Sequence, residues 1–260
     1  RIPNLLRDLF AEGAFSAAFV PVLTQQKSKS DLSARLMLWK LFILLGSITG
    51  VIGILMAIFA PELVSLFAPK FSENPEQYKT AVLLTRIMSP YLALVSISAL
   101  FMGTLNTLKT FFVPALAPAA FNISFICSMV LLTGLLVEWG HPPILSLAIG
   151  VLIGGCAQGL LQFPLLIKKQ YGPWFKGPLW SDEVKTVFNK LIPGLVGFAA
   201  TQINLLVNTI LASSTVVGAV SWLGYGFRLF QFPVGILGVS IGSSHLVHFS
   251  EAWKKGDESG

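Results

Sequence analysis

Several stretches of this chain run for twenty or more positions without a charged residue, and that pattern restricts the fold more than any other feature. Residues 41–60, 87–108, 111–137 and 142–167 each have the length of one membrane crossing, because a hydrocarbon core of about 30 Å takes about 20 apolar residues in a helix. Residues 191–227 are also uncharged but too long for a single crossing. The cluster Ser213, Ser214, Thr215 and Gly218 predicts a tight turn that divides this run into two helices.

Composition agrees. The chain is 54% hydrophobic and 12% charged, with mean hydropathy +0.74, whereas soluble domains carry about 25% charged residues. One water-facing core cannot hide so much apolar surface, so lipid must be part of the solvent. With the apolar opening segment included, the expected helices lie at about 1–24, 41–67, 82–108, 111–137, 142–167, 191–212 and 219–244. This is an all-α, polytopic transmembrane helix bundle of about seven helices.

The formal net charge of +6 raises the question of a nucleic-acid partner, and its distribution answers it. If residue 1 starts outside, the inside loops hold Lys27, Lys29, Arg35, Lys40, Lys109, Lys168, Lys169, Lys176, Lys185, Lys254 and Lys255 among their basic residues. The outside loops hold two, Lys70 and Lys79, the second near Glu73 and Glu76. Such asymmetry orients a membrane protein and draws anionic lipid; no nucleic acid is expected. In 170–185, Trp174, Phe175 and Trp180 sit among lysines and Gly-Pro breaks, which predicts an interfacial segment on the cytoplasmic surface.

Catalytic chemistry finds no foothold. His141, His245 and His248 stand apart, and no His/Cys/acid set has metal-ligand spacing. No phosphate loop, nucleophile elbow or catalytic carboxylate pair is present, so neither an enzyme nor a cofactor is expected. Cys127 and Cys156 lie in apolar runs and read as small buried hydrophobes. The glycines of IGVLIGGCAQG read as close helix contacts. Asn106, Asn122, Gln202, Asn204 and Asn208 read as bridges between helices.

Two places hold charge where it is costly. In RIPNLLRDLFAEGAFSAAFVPVL, a wheel at 100° per residue puts Arg1, Asn4, Asp8, Glu12 and Ser16 on one stripe with Arg7 beside it, while Leu6, Leu9, Phe10 and Ala17 face away. Asp8 and Glu12, one turn apart, repel each other and call for a cation. Arg228 stands near the middle of its helix, among Gly226, Pro233 and Gly235. An ionised group there costs at least about 2.5–3.5 kcal/mol and normally faces a wet cavity or a partner. One reading pairs Arg228 with Glu12 or Asp8 as a helix-to-helix lock. The other has Arg7 and Arg228 lining a central cavity that holds an anion, with the acids tuning them.

The opening segment closely resembles the signature of the MurJ/MviN family of bacterial lipid II flippases, within the multidrug/oligosaccharidyl-lipid/polysaccharide exporter superfamily. SPYLALVSISALFMGTLNTLKTFFVPALAPAAFNIS, GGCAQGLLQFPLL and AVSWLGYGFRLFQFPVGILGVSIGS carry the resemblance through the chain. It implies part of a two-lobed, fourteen-helix transporter, here about helices two to eight. Residues 1–169 would then be the remainder of the N-terminal lobe, 170–190 a cytoplasmic interfacial linker, and 191–260 the start of the C-terminal lobe. The family's cavity arginines map onto Arg7 and Arg228 and its second-helix acid onto Glu12, with Asn4 and Asp8 beside them.

The partners so implied are membrane lipids and an undecaprenyl-diphosphate-linked disaccharide-pentapeptide, moved across the bacterial cytoplasmic (inner) membrane by alternating access. The chain departs from the family pattern at Asp8, where a second basic residue is common. It departs again at Phe227, where an Asp often precedes the arginine, and at Asn208, where some members have an acid. The coupling cation is therefore left unassigned. A flippase for another polyprenyl-diphosphate sugar, or a drug exporter of the superfamily, is the alternative, although a drug exporter favours acids over arginines in its cavity.

Overall fold

The computed structural model describes residues 14–69, 71 and 74–213, and beyond them 215–216, 218–219, 221–227, 229–230 and 233. Among these, the chain forms α1 (Ala14–Lys29), α2 (Asp31–Ile58), α3 (Ala60–Phe67), α4 (Pro75–Met88), α5 (Tyr91–Thr107), α6 (Phe112–Glu138), α7 (Leu145–Lys168) and α8 (Asp182–Ser213). No strand occurs among the described residues. Four of the described segments are long and apolar enough to cross a membrane: 31–58, 75–107, 112–138 and 145–168. The chain is a multi-pass membrane protein.

Local chemistry sets the ends. Ser30 alone separates α1 from α2; its Oγ accepts the Ser33 N–H at 3.0 Å, and Asp31 fills the first turn. This cap starts α2 ten residues before the expected position 41, because a helix continues into water past the hydrocarbon while a count of apolar residues stops at its edge. The helix expected over 41–67 is also two helices. It breaks at Phe59, next to Pro61 in the first turn of α3, since proline cannot donate to a preceding carbonyl. Asn74 caps α4, its Oδ1 accepting from Glu76 and Gln77. The helix expected over 82–108 is interrupted by a turn at residues 89–90, at Pro90, between α4 and α5.

Three helices end on a residue of positive φ: Lys109 (55°) after α5, Gly140 (73°) after α6, and Gln170 (67°) after α7. Each is followed by an N–H that reaches back five residues. Thr110 bonds Leu105 O at 2.9 Å, His141 bonds Leu136 O at 2.8 Å, and Tyr171 bonds Leu166 O at 2.9 Å. Left-handed caps of this kind satisfy terminal carbonyls.

The chain forms two compact units, residues 1–203 and 204–260. In the first, α5 is central and touches α1, α2, α6 and α7, while α6 lies along α7. The glycines of α7 make this close approach: a Cβ on Gly154 would stand 2.7 Å from the Phe121 ring and 3.0 Å from Phe121 O, and one on Gly155 would stand 2.9 Å from the Tyr91 ring. The reading of these glycines as helix contacts holds for Gly150, Gly154 and Gly155 but not for Gly159, where a Cβ would meet nothing within 4 Å. Gln162, fully buried on α7, donates Nε2 to Ser98 Oγ of α5 at 2.8 Å.

The core is unequal from end to end. Toward the basic loops it holds Phe15, Phe19, Leu38, Leu100, Leu105 and Leu166 with Val184, Val187 and Leu191 of α8. Inside it Trp39, Phe42, Phe101 and Phe163 form a ring cluster with centroids 4.9–6.3 Å apart. At the other end the cluster is Ala60, Val64 and Val82. Outside, α6 exposes Ile123, Val130 and Leu131, an apolar surface suited to acyl chains.

Cys127 and Cys156, expected inside, are both exposed at the protein surface. An apolar run says only that a side chain leaves water, and in a membrane the outer face does so as well. In the second unit, α8 stops at Ser213 and Gly218 takes φ 94°. The N–H groups of Ser221 and Trp222 then bond Gly218 O, which is the turn expected there.

Candidate functional site

Arg7, Asp8, Glu12, Asn4 and Arg228, the expected cavity residues, lie outside the described residues. Helix α1, immediately downstream of the first four, is described. In it Phe15 and Phe19 stack at 5.3 Å and are buried with Val22 and Leu23 against α2 and α5. The contact with α5 is tight because Gly103 leaves room: a Cβ there would meet the Phe19 ring at 3.0 Å. Ser16 is half-buried and Ala17 exposed. In the second unit, Phe227, Leu229 and Phe230, which flank position 228, are exposed.

Among the described residues no side-chain hydrogen bond from an asparagine joins two helices. Asn208 Nδ2 donates to Asn204 Oδ1 at 3.0 Å, four residues back on the same helix, where side chains at that spacing meet. Asn122 is exposed and Asn106 half-buried, with no side-chain hydrogen bond among the described residues; the Gln202 side chain lies outside them. Arg86, near the end of α4, donates Nε to Ala57 O at 3.2 Å and so ties α4 to α2. No group of three or more metal-capable side chains occurs among the described residues.

A second polar centre, which sequence reasoning scattered among loop charges, is assembled at the basic end. Arg35 donates Nε to Gly172 O at 2.7 Å and Nη2 to Pro173 O at 3.2 Å, and its guanidinium lies 5.3 Å from the Trp174 ring centroid. Trp39 Nε1 donates to Tyr171 O at 2.9 Å and its ring meets Phe175 edge-on at 5.9 Å. Tyr171 is buried and donates its hydroxyl to Asp31 Oδ1 at 2.7 Å. Burial first, then that bond and the Asp31 charge, push the phenol well above its usual range, so it remains a donor throughout the neutral range.

Residues 171–175 are thereby fastened to the first turns of α2. Trp174, Phe175 and Trp180 are about half exposed, as an interfacial segment requires. Beside them opens a cleft of about 410 Å³, lined by Lys27, Asp31, Arg35, Lys169, Gln170 and Tyr171 among others. The only sequence signal for this centre was the basic and aromatic bias of the two loops, since its partners are 132–140 residues apart.

Comparison with known proteins matches this architecture. The family model described as "Lipid II flippase MurJ" covers residues 1–259. The Lipid II flippase MurJ of Burkholderia cenocepacia is 37% identical over 97% of this chain and 49% of its own length. The Probable lipid II flippase MurJ of Haemophilus influenzae is 39% identical over 93% of this chain and 48% of its own. A solved structure described as "Lipid II flippase MurJ, inward closed conformation" superposes with TM-score 0.76 at 28% identity, covering 97% of this chain and 51% of that one. The chain spans about half the length of the curated relatives it matches. With the family model matched over residues 1–259 and the superposition covering 97% of the chain, the chain belongs to the MurJ lipid II flippase family.

Proposed function

We propose that this chain supplies one lobe and the beginning of the second in a flippase that carries lipid II from the inner to the outer leaflet of the bacterial cytoplasmic membrane. Residues 1–169 complete the first lobe, 170–190 link the lobes on the cytoplasmic surface, and 191–260 begin the second. The observation that carries this reading is the family match over residues 1–259 together with the superposition at TM-score 0.76.

In this proposal Arg7 and Arg228 grip the diphosphate. Guanidinium groups present paired N–H donors that match phosphate oxygens, and the charge-assisted bonds are about twice as strong as neutral ones. Glu12 and Asp8 hold the arginines in place, Asn4 adds a neutral donor, and the polyprenyl chain stays in lipid. Rocking of the lobes changes which side is open. Burial of Phe15 and Phe19 supports the geometry, because α1 begins two residues after Glu12 and is seated firmly on α5.

Replacing Arg7 and Arg228 together by Ala in the intact protein should abolish surface exposure of lipid II in cells. Undiminished exposure would sink the diphosphate site. Competition between lipid II and another polyprenyl-diphosphate sugar in reconstituted vesicles separates this substrate from the neighbouring one.

A further inference from the structure

We propose that the cleft between the ends of α1, α5 and α7 and the start of α2 binds the phosphate headgroup of an anionic phospholipid from the cytoplasmic leaflet. The inference is independent of the transport reading. It rests on charge, unused donors and position.

Lys27, Arg35 and Lys169 line the cleft against one acid, Asp31, leaving two positive charges in excess. Among the described residues, none of the three cations forms an ion pair within 4.0 Å. Arg35 spends two of its five N–H donors on the Gly172 and Pro173 carbonyls, neutral acceptors that leave its charge uncompensated. Lys27 and Arg35 are each half-buried. The Asp31 carboxylate is turned to the Tyr171 hydroxyl at 2.7 Å. A phosphodiester would supply the missing counter-charge and accept the remaining donors.

Position selects a lipid over a soluble anion. The cleft lies where the membrane-crossing helices α2 and α7 meet the basic loops, beside half-exposed Trp174, whose ring centroid is 5.3 Å from the Arg35 guanidinium. Tryptophans mark the headgroup layer. Leu32, which lines the cleft, is 53% exposed, which gives the glycerol and first methylenes an apolar surface. The ends of α5 and α7 direct carbonyl dipoles toward this side and oppose an anion. Three full cations outweigh half-charges that fade within one turn.

The test is native mass spectrometry of the intact membrane protein, released from nanodiscs holding equal amounts of phosphatidylglycerol and phosphatidylcholine. Wild type should retain phosphatidylglycerol preferentially. Lys27→Gln with Lys169→Gln should reduce retention on the order of tenfold, and Lys27→Arg with Lys169→Arg should restore it, which separates charge loss from misfolding. Equal retention of the two lipids, or an unaltered glutamine variant, overturns the proposal. Complete displacement by excess inorganic phosphate would assign the cleft to a soluble anion and overturn it as well.

Discussion

The two ends of the first helical unit are built differently. At the basic end a large core is closed by directional contacts: Arg35 and Trp39 hold the carbonyls of residues 171–173, and Tyr171 holds Asp31. At the opposite end Ala60, Val64 and Val82 make a small cluster, and Tyr78 Oη donates to Pro61 O at 3.0 Å. The first end joins segments more than 130 residues apart; the second joins neighbours in sequence. Long-range closure needs specific donors because chain connectivity does not supply it, whereas a short hairpin of helices is already held close by its connection.

The sharpest way to break that contrast is Trp39→Ala, which removes four ring contacts and the bond to Tyr171 O. It should cost about 3–5 kcal/mol, read as thermal unfolding of the intact protein in detergent. A loss as small as that of Tyr78→Phe would show the two ends to be equivalent. Next, Gly154→Ala drives a methyl into the Phe121 ring and should cost about 1–3 kcal/mol. Gly159→Ala, with nothing within 4 Å, serves as its silent control. Such an effect would place helix contacts midway along the bundle between the two ends in strength.

The smallest effect belongs to Tyr171→Phe, about 1 kcal/mol for one hydrogen bond to a carboxylate. Its pH dependence identifies it. The folded phenol is held above its unfolded pKa of about 10, so its contribution is complete below that value and is lost as pH rises from there toward the folded pKa. The difference between wild type and Tyr171→Phe should therefore be constant through neutral pH and decline only above about pH 10. A difference that fell through pH 6–8 instead would mean another group governs the contact.

Much of the fold was legible because charge-free runs, caps and prolines are local signals. Residues 112–138 and 145–168 lie within three positions of the expected helices, and the glycines of α7 meet Phe121 and Tyr91 as their pattern implied. Cys127 and Cys156 misled because lipid and protein interiors look alike in a run of apolar letters. Arg35 was counted only as an inside charge, since nothing local marks a residue whose acceptors lie 137 positions away. Asn204 and Asn208, expected to bridge helices, bond each other among the described residues: four residues apart, they are within reach on one helix. The proposed diphosphate site was readable only through its charges and family motif, and Arg7 and Arg228 fall outside the described residues.

The fastening of residues 171–175 has a mechanical consequence. Val184, Val187 and Leu191, just downstream, are seated in the same core, and Trp180 meets Phe188 at 5.2 Å. The stretch from α7 to α8 is thus a strap buckled at both ends to one body. A protease nick at Lys176 would sever the covalent thread yet leave both flanks in their seats, so covalent continuity there contributes little to holding the bundle together.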